Sequence, residues 1–182
     1  MKSDNDIKIL VLGATGMLGS TLLRFFHESK GFLVSGTGRS TSMIQKLPLK
    51  YQALVRSGID MDDFSSIESI FREINPDIVI NCIGILKQFD SVNDPLISLP
   101  INSLLPHHLA RCSDKYDARF IHISTDCVFT GVTGMYAEDS LPDAVDLYGT
   151  SKRLGEVDYP NAITLRTSMI GHELNSQNSL ID

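Results

Sequence analysis

The sequence predicts an α/β fold: a doubly wound, mostly parallel sheet with helices on both faces. Short β-branched runs alternate with segments of helical period, as crossover helices linking parallel strands require. Several of those runs are apolar almost without a break, the mark of strands covered on both sides. A glycine-rich turn also separates the first strand from the first helix.

Taken in order, Ile7 to Leu12 reads as the first strand. The helix after the turn would place Leu18, Leu22, Phe25 and Phe26 on one face. A second strand is expected at Phe32 to Thr37. The next clear helix starts after Asp62 and Asp63, which can cap its positive end, and carries the stripe Phe64, Ile67, Ile70, Phe71 and Ile74. Asn75-Pro76 stops it. Asp77 to Ile83 and Arg119 to Ser124 read as buried strands, with a helix near Asn102 to Tyr116 between them. Pro106 must sit in the first turn of that helix or kink it. Ala162 to Arg166 is a last strand, and the stretch from Gly171 to Ser179 is polar.

A chain of 182 residues fits one domain with a sizeable core. Its net charge of -6 argues against broad nucleic-acid binding, which needs clustered cations. An anionic small ligand held by backbone N–H groups is still compatible with that charge. Cys82, Cys112 and Cys127 form no close-spaced pair, which fits a reduced cytosol better than disulfides or zinc. No window has the apolar length of a membrane span, and residues 1–7 do not resemble a signal sequence, so a cytoplasmic protein is expected. His107 and His108 are adjacent rather than at ligand spacing; no metal is expected.

The sharpest local signal is Gly13-Ala14-Thr15-Gly16-Met17-Leu18-Gly19, placed where a dinucleotide pyrophosphate would meet a helix N-terminus. Its three glycines suit a tight turn, close backbone approach to phosphate and close helix packing. A glycine turn without ligand is the competing reading. The second strand ends Ser35-Gly36-Thr37-Gly38-Arg39-Ser40, with no carboxylate for a ribose 2′-hydroxyl. Arg39 suits a 2′-phosphate instead, so NADP(H) is expected ahead of NAD(H). A solvated surface arginine competes with that role.

Tyr148 and Lys152, four apart, project from one helix face. A neighbouring ammonium would lower the phenol's pKa and let it act as a general acid or base. Thr125, in Ser124-Thr125-Asp126, sits at the carboxyl edge of the sheet where open α/β folds bind ligands. Turn chemistry alone also explains a threonine there.

Together the glycine turn, Asn81-Cys82-Ile83-Gly84, Ser124 to Phe129 and Tyr148 to Lys152 resemble the extended short-chain dehydrogenase/reductases of Rossmann type. Within them the sequence is most similar to nucleotide-sugar reductases of the dTDP-4-dehydrorhamnose reductase group in surface-polysaccharide synthesis. Asn102 and the Tyr136-Ala137-Glu138 and Pro142 positions share in the resemblance.

By that resemblance Tyr148 protonates the sugar carbonyl, Thr125 hydrogen-bonds it, and Lys152 binds the nicotinamide ribose and tunes Tyr148. Thr15, Met17 and Leu18 join the glycines at the cofactor, Asp60 and Met61 lie beside the adenine, and Cys82, Ile83, Gly84 and Asn102 lie along it. The resemblance also implies a homodimer and a nucleotide-sugar substrate. Residues 1–171 would form the NADP(H)-binding domain carrying the catalytic residues. Residues 172–182 would start a substrate-binding region that is largely missing from this chain. Dehydratases of this superfamily have Glu where Cys127 stands, so water elimination is not expected; rhamnose-pathway reductases often have Tyr there, so the sugar does not transfer. The competing functions are a nucleotide-sugar epimerase and a non-catalytic cofactor-binding subunit.

Overall fold

Alternation along the first strand sets up the two layers. The structure, a computed structural model, describes residues 6–58 and 63–171. β1 (Ile7–Leu12) turns Leu10 and Leu12 into one core and Ile9 and Val11 into another. Such a strand must be covered on both sides, as the sequence predicted.

Six parallel strands among the described residues run in the order β3-β2-β1-β4-β5-β6: β2 is Phe32–Gly38, β3 Val55–Ser57, β4 Ile78–Asn81, β5 Arg119–Thr125 and β6 Ala162–Thr167. This is a Rossmann-type sheet. The order reverses between β1 and β4, which opens a crevice at their carboxyl ends.

α1 (Met17–Glu28) and the short α2 (Thr41–Ile44) and α3 (Leu49–Gln52) cover one face through Leu23, Ile44 and Tyr51. α4 (Phe64–Ile74), α6 (Leu105–Lys115) and the segment after α7 (Leu147–Leu154) cover the other with Ile67, Ile70, Phe71, Leu105, Leu109 and Val157. Asp63 caps α4 by accepting from Ser65 N, and Asn75 closes it in the left-handed region with its N–H on the Phe71 carbonyl.

Three expectations need correction. Phe25 is 59% exposed, although the period put it on the buried stripe of α1. The buried row is Gly19 and Leu23, flanked by partly buried Leu18, Leu22 and Phe26, because α1 approaches the sheet through its glycine. β4 pairs only over Ile78–Asn81; Cys82 N still bonds to the Leu12 carbonyl, but the chain then leaves the ladder for the crevice. The helix expected near 102–116 is the end of a longer helical run. α5 (Pro95–Leu99) passes through a wide turn over Pro100–Leu104, closed by Leu105 N on the Pro100 carbonyl, into α6. Pro106 lies in the first turn of α6, directly after the wide turn, so the residue without an N–H falls where the regular α pattern is already interrupted.

The three-residue β3 and the short helices carry too few residues to show a period. Residues 172–182, the expected start of a second region, lie outside the described residues, as do Asp60 and Met61. Among the described residues no helix is long and apolar enough to cross a membrane.

A Cβ on Gly19 would collide with the Gly13 carbonyl. Alanine gains about 1 kcal/mol in helix propensity, but forcing backbone apart in a packed interior costs about 1–3 kcal/mol or more. Gly19→Ala is therefore expected to lower the urea-unfolding free energy by about 2 kcal/mol; an unchanged or raised value would contradict this packing.

Candidate active site

The turn after β1 is shaped by two constraints. Gly13 has φ +80°, and a Cβ there would press on the Cys82 backbone and the Ile83 side chain, which locks the loops after β1 and β4 together. Gly13 N donates to Thr37 Oγ1 (3.3 Å) and Ala14 N to the Thr37 carbonyl (2.8 Å), fixing the turn to β2. Gly16 is the N-cap of α1, and no side-chain oxygen caps that first turn, whereas aspartates cap α4 and α7. A twelve-residue helix thus presents its positive end, through small residues, to the crevice. These features fit a dinucleotide pyrophosphate. Met17 and Leu18 lie in that turn, and Thr15 is buried beside it. Arg39 is exposed immediately after β2, at the same edge of the sheet.

Across the crevice, Asn81 Oδ1 accepts from Ile83 N (3.1 Å). Asn102, fully buried in the wide turn before α6, accepts from Ile85 N (2.8 Å) and donates to the Ile85 carbonyl and Ser151 Oγ (both 3.2 Å). It ties the loop after β4 to α7. Gly84 lies against it: a Cβ there would sit 3.3 Å from Asn102 Oδ1 and 3.7 Å from Lys152 Nζ.

α7 begins at Asp146, whose Oδ1 accepts from Gly149 N (2.7 Å) and whose Oδ2 meets Lys87 Nζ (3.1 Å). That cap points Tyr148 and Lys152 inward, 8% and 5% exposed. Lys152 Nζ donates to the Ile123 carbonyl (2.9 Å), and burial brings its pKa down to about 8. Thr125 ends β5; its hydroxyl donates to Asp126 Oδ1 (3.2 Å) and accepts from Cys127 N (3.1 Å).

The expectation that Lys152 lowers the Tyr148 pKa is not met. Burial pushes the phenol above its ordinary value, and a hydrogen bond with Thr125 only partly opposes this. The phenol is therefore protonated at neutral pH. Burial also pushes the Cys82 thiol up to about 12, so it has no thiolate chemistry here.

The structure thus brings Thr125, Tyr148, Lys152, Asn102 and Gly84 to one edge, across the crevice from the glycine turn. Sequence reasoning gave no role to Lys87, Glu156, Arg166 or the buried pair Asn81 and His122. Glu156 stands four residues after Lys152, the one signal that would have pointed to it. His107, left without a role, joins Tyr159 Oη and the Leu154 carbonyl (both 2.8 Å). Among the described residues no group of His, Cys, Asp and Glu could hold a metal.

Comparison with known proteins adds to this geometry. A family model described as RmlD substrate binding domain matches residues 7–179. A probable low-salt glycan biosynthesis reductase of Haloferax volcanii is 33% identical over 88% of this chain and 52% of its own length. A dTDP-4-dehydrorhamnose reductase of Streptomyces griseus is 30% identical over 81% and 43%. The methionine adenosyltransferase 2 subunit beta of Xenopus laevis is 27% identical over 82% and 41%. The chain spans about half the length of these relatives. Among solved structures, a hypothetical dTDP-4-dehydrorhamnose reductase from Sulfolobus tokodaii superposes with a TM-score of 0.74 at 27% identity, covering 88% of this chain and 55% of the other. A Bacillus anthracis dTDP-4-dehydrorhamnose reductase in complex with NADP gives 0.66 at 24%, covering 82% and 47%.

His122 generates a test of the layer beneath the site. It is fully buried, with Nδ1 against Asn81 Nδ2 (3.1 Å) and Nε2 without a partner among the described residues. Burial, with Lys152 adding to it, brings its pKa down to about 3. The unfolded chain takes up this proton below about pH 6.5 while the fold does not, so stability falls as pH drops from there. Between pH 6 and 5, where carboxylates stay ionised, unfolding free energy is expected to fall by about 1 kcal/mol. His122→Gln should remove most of that slope; a flat wild-type curve would contradict the burial.

Proposed function

Because the chain belongs to the RmlD substrate binding domain family, we propose that it is the cofactor-binding and catalytic part of an NADPH-dependent reductase. Its substrate is the 4-keto group of a nucleotide-linked deoxy-sugar used in surface-polysaccharide synthesis. The observation that carries this reading is the meeting of Thr125, Tyr148 and Lys152 beside Gly84, at the carboxyl edge of a sheet whose first turn suits a pyrophosphate.

A bound nicotinamide cofactor would supply the two reducing electrons. The protein's part is to hold that group and to handle the proton. The turn between β1 and α1, with Gly13, Thr15 and Gly16, and the first helical residues Met17, Leu18 and Gly19 would receive the pyrophosphate. Arg39 receives the 2′-phosphate through its guanidinium fork, and no carboxylate competes at the end of β2. Cys82, Ile83 and Gly84 would line the cofactor, and Lys152, a cation mostly protonated near pH 7, would hold its nicotinamide ribose.

Tyr148 gives its proton to the carbonyl oxygen as that oxygen gains charge, and the Thr125 hydroxyl, which donates to Asp126 Oδ1 in the structure, turns to donate to the same atom. The raised Tyr148 pKa suits this direction, because a general acid must hold its proton until the reaction demands it. Asp60 and Met61 keep their assignment beside the adenine through family resemblance.

A second reading is favoured by the Xenopus laevis relative, which is named as a subunit of another enzyme. In that reading the same site binds cofactor and the chain serves a partner rather than turnover.

Titration with NADPH and NADH, followed by nicotinamide fluorescence at fixed salt, is expected to favour NADPH by at least tenfold. Arg39→Ala should cut that preference to near parity, since a charge-assisted phosphate contact is worth roughly 1.5–3 kcal/mol. Equal affinities in the wild type would contradict the NADP(H) assignment. Tyr148→Phe should lower turnover of a nucleotide 4-keto-sugar by about 100-fold or more and leave NADPH affinity within about twofold. Turnover unchanged in Tyr148→Phe would contradict the acid role.

A further inference from the structure

Thr125 and Lys152 reach the site from different elements, and a charged junction ties those elements together from behind. Glu156 follows α7 and is four residues after Lys152. Its Oε1 accepts from Ser124 Oγ and Arg166 Nε (both 2.9 Å), and its Oε2 accepts from Arg166 Nη2 (2.8 Å). Ser124 is the residue before Thr125. Arg166, near the end of β6, also donates from Nη1 to the Glu138 carbonyl (3.2 Å) and lies over the Phe129 ring at 5.0 Å. Phe129 in turn stacks on Tyr136 at 4.3 Å. From the same strand, Thr167 Oγ1 donates to the Ser124 carbonyl (3.2 Å).

The pair is largely withdrawn from solvent, its side chains 25% and 14% exposed for Arg166 and Glu156. Desolvation offsets much of the attraction in such a pair, so net stabilisation is a weak reason for its presence. What the junction does achieve is alignment. The sheet already pairs Ser124 with Arg166 and Thr125 with Thr167, and the junction adds to that ladder the residue after α7's last turn and the 129–138 loop.

We propose that Glu156 and Arg166 are positioning residues: their ion pair sets the Thr125 end of β5 and the 129–138 loop in place relative to Lys152. This rests on the reading of Thr125, Tyr148 and Lys152 as the site. Lys152 is faced by Glu156 from beyond its own helix, by Cys82 from the end of β4 and by His122 from β5. Of these groups Glu156 carries the negative charge and favours the ammonium.

Two variants of the intact chain test the proposal without turnover. Glu156→Gln keeps the shape and an acceptor for Ser124 but removes the charge; Arg166→Lys keeps a charge but loses the fork. Amide hydrogen exchange is expected to quicken by about tenfold or more at the end of β5 and in the 129–138 loop, with β1 and β4 changed by less than about twofold. In Glu156→Gln, the NMR titration of carbon-labelled Lys152 should move down by about half a unit or more. Exchange that is unchanged, or that quickens evenly over all strands, would mark the pair as ordinary packing and overturn the proposal, as would an unmoved Lys152 titration. If Glu156→Gln does not fold, the exchange pattern of Arg166→Lys decides. A local pattern in a chain that binds neither NADPH nor NADH would contradict the proposed function and leave this positioning role standing.

Discussion

The candidate site depends on the side chain of Asn102. One fully buried amide makes three hydrogen bonds, two to Ile85 in the loop after β4 and one to Ser151 on α7. An amide placed there without partners would cost about 1–3 kcal/mol, so the loop and the helix are held in the one arrangement that satisfies it. Ser103 adds a bond to the Ser151 carbonyl (2.8 Å) from the next residue. The carbonyl of Asn102 leaves no room for a side chain at Gly155, which draws the end of α7 close as well. Gly84 and Lys152 therefore face each other because Asn102 stands between their elements.

Burial then decides the electrostatics of what Asn102 assembles. Lys152 is brought down to about 8, His122 to about 3, and the Tyr148 phenol is raised. These shifts share a first cause, the withdrawal of water from the carboxyl edge of the sheet. The outcome is a site that keeps a proton on the phenol and a cation beneath it near neutral pH. Exposed pairs such as Lys87 with Asp146 orient the rim and add little energy.

Much of this was legible in the residues. β1 begins and ends where its apolar run does, and α4 shows both its stripe and its caps, because period and capping chemistry are local. The glycine turn, Thr125, Tyr148 and Lys152 could be picked out for the same reason: each lies at a strand end or on one helix face. Phe25 was misplaced because a 3.6 period cannot say which neighbouring row meets the sheet; the contact of Gly19 with the Gly13 backbone settles that. The direction of the Tyr148 shift needed burial, which four-residue spacing does not contain. Glu156 and Arg166 had no role in the sequence because nothing local shows that the fold sets them against each other and against Ser124.

The proposed site would set Tyr148 beside a nicotinamide held across the loops after β1 and β4. The direct measurement is intermolecular NMR contacts between the nicotinamide ring protons of bound NADPH and the ring protons of Tyr148. The account predicts contacts at about 5 Å or less to Tyr148, alongside contacts from the pyrophosphate-bearing half of the ligand to the first turn of α1. Saturable binding with nicotinamide contacts only to other parts of the surface would contradict it.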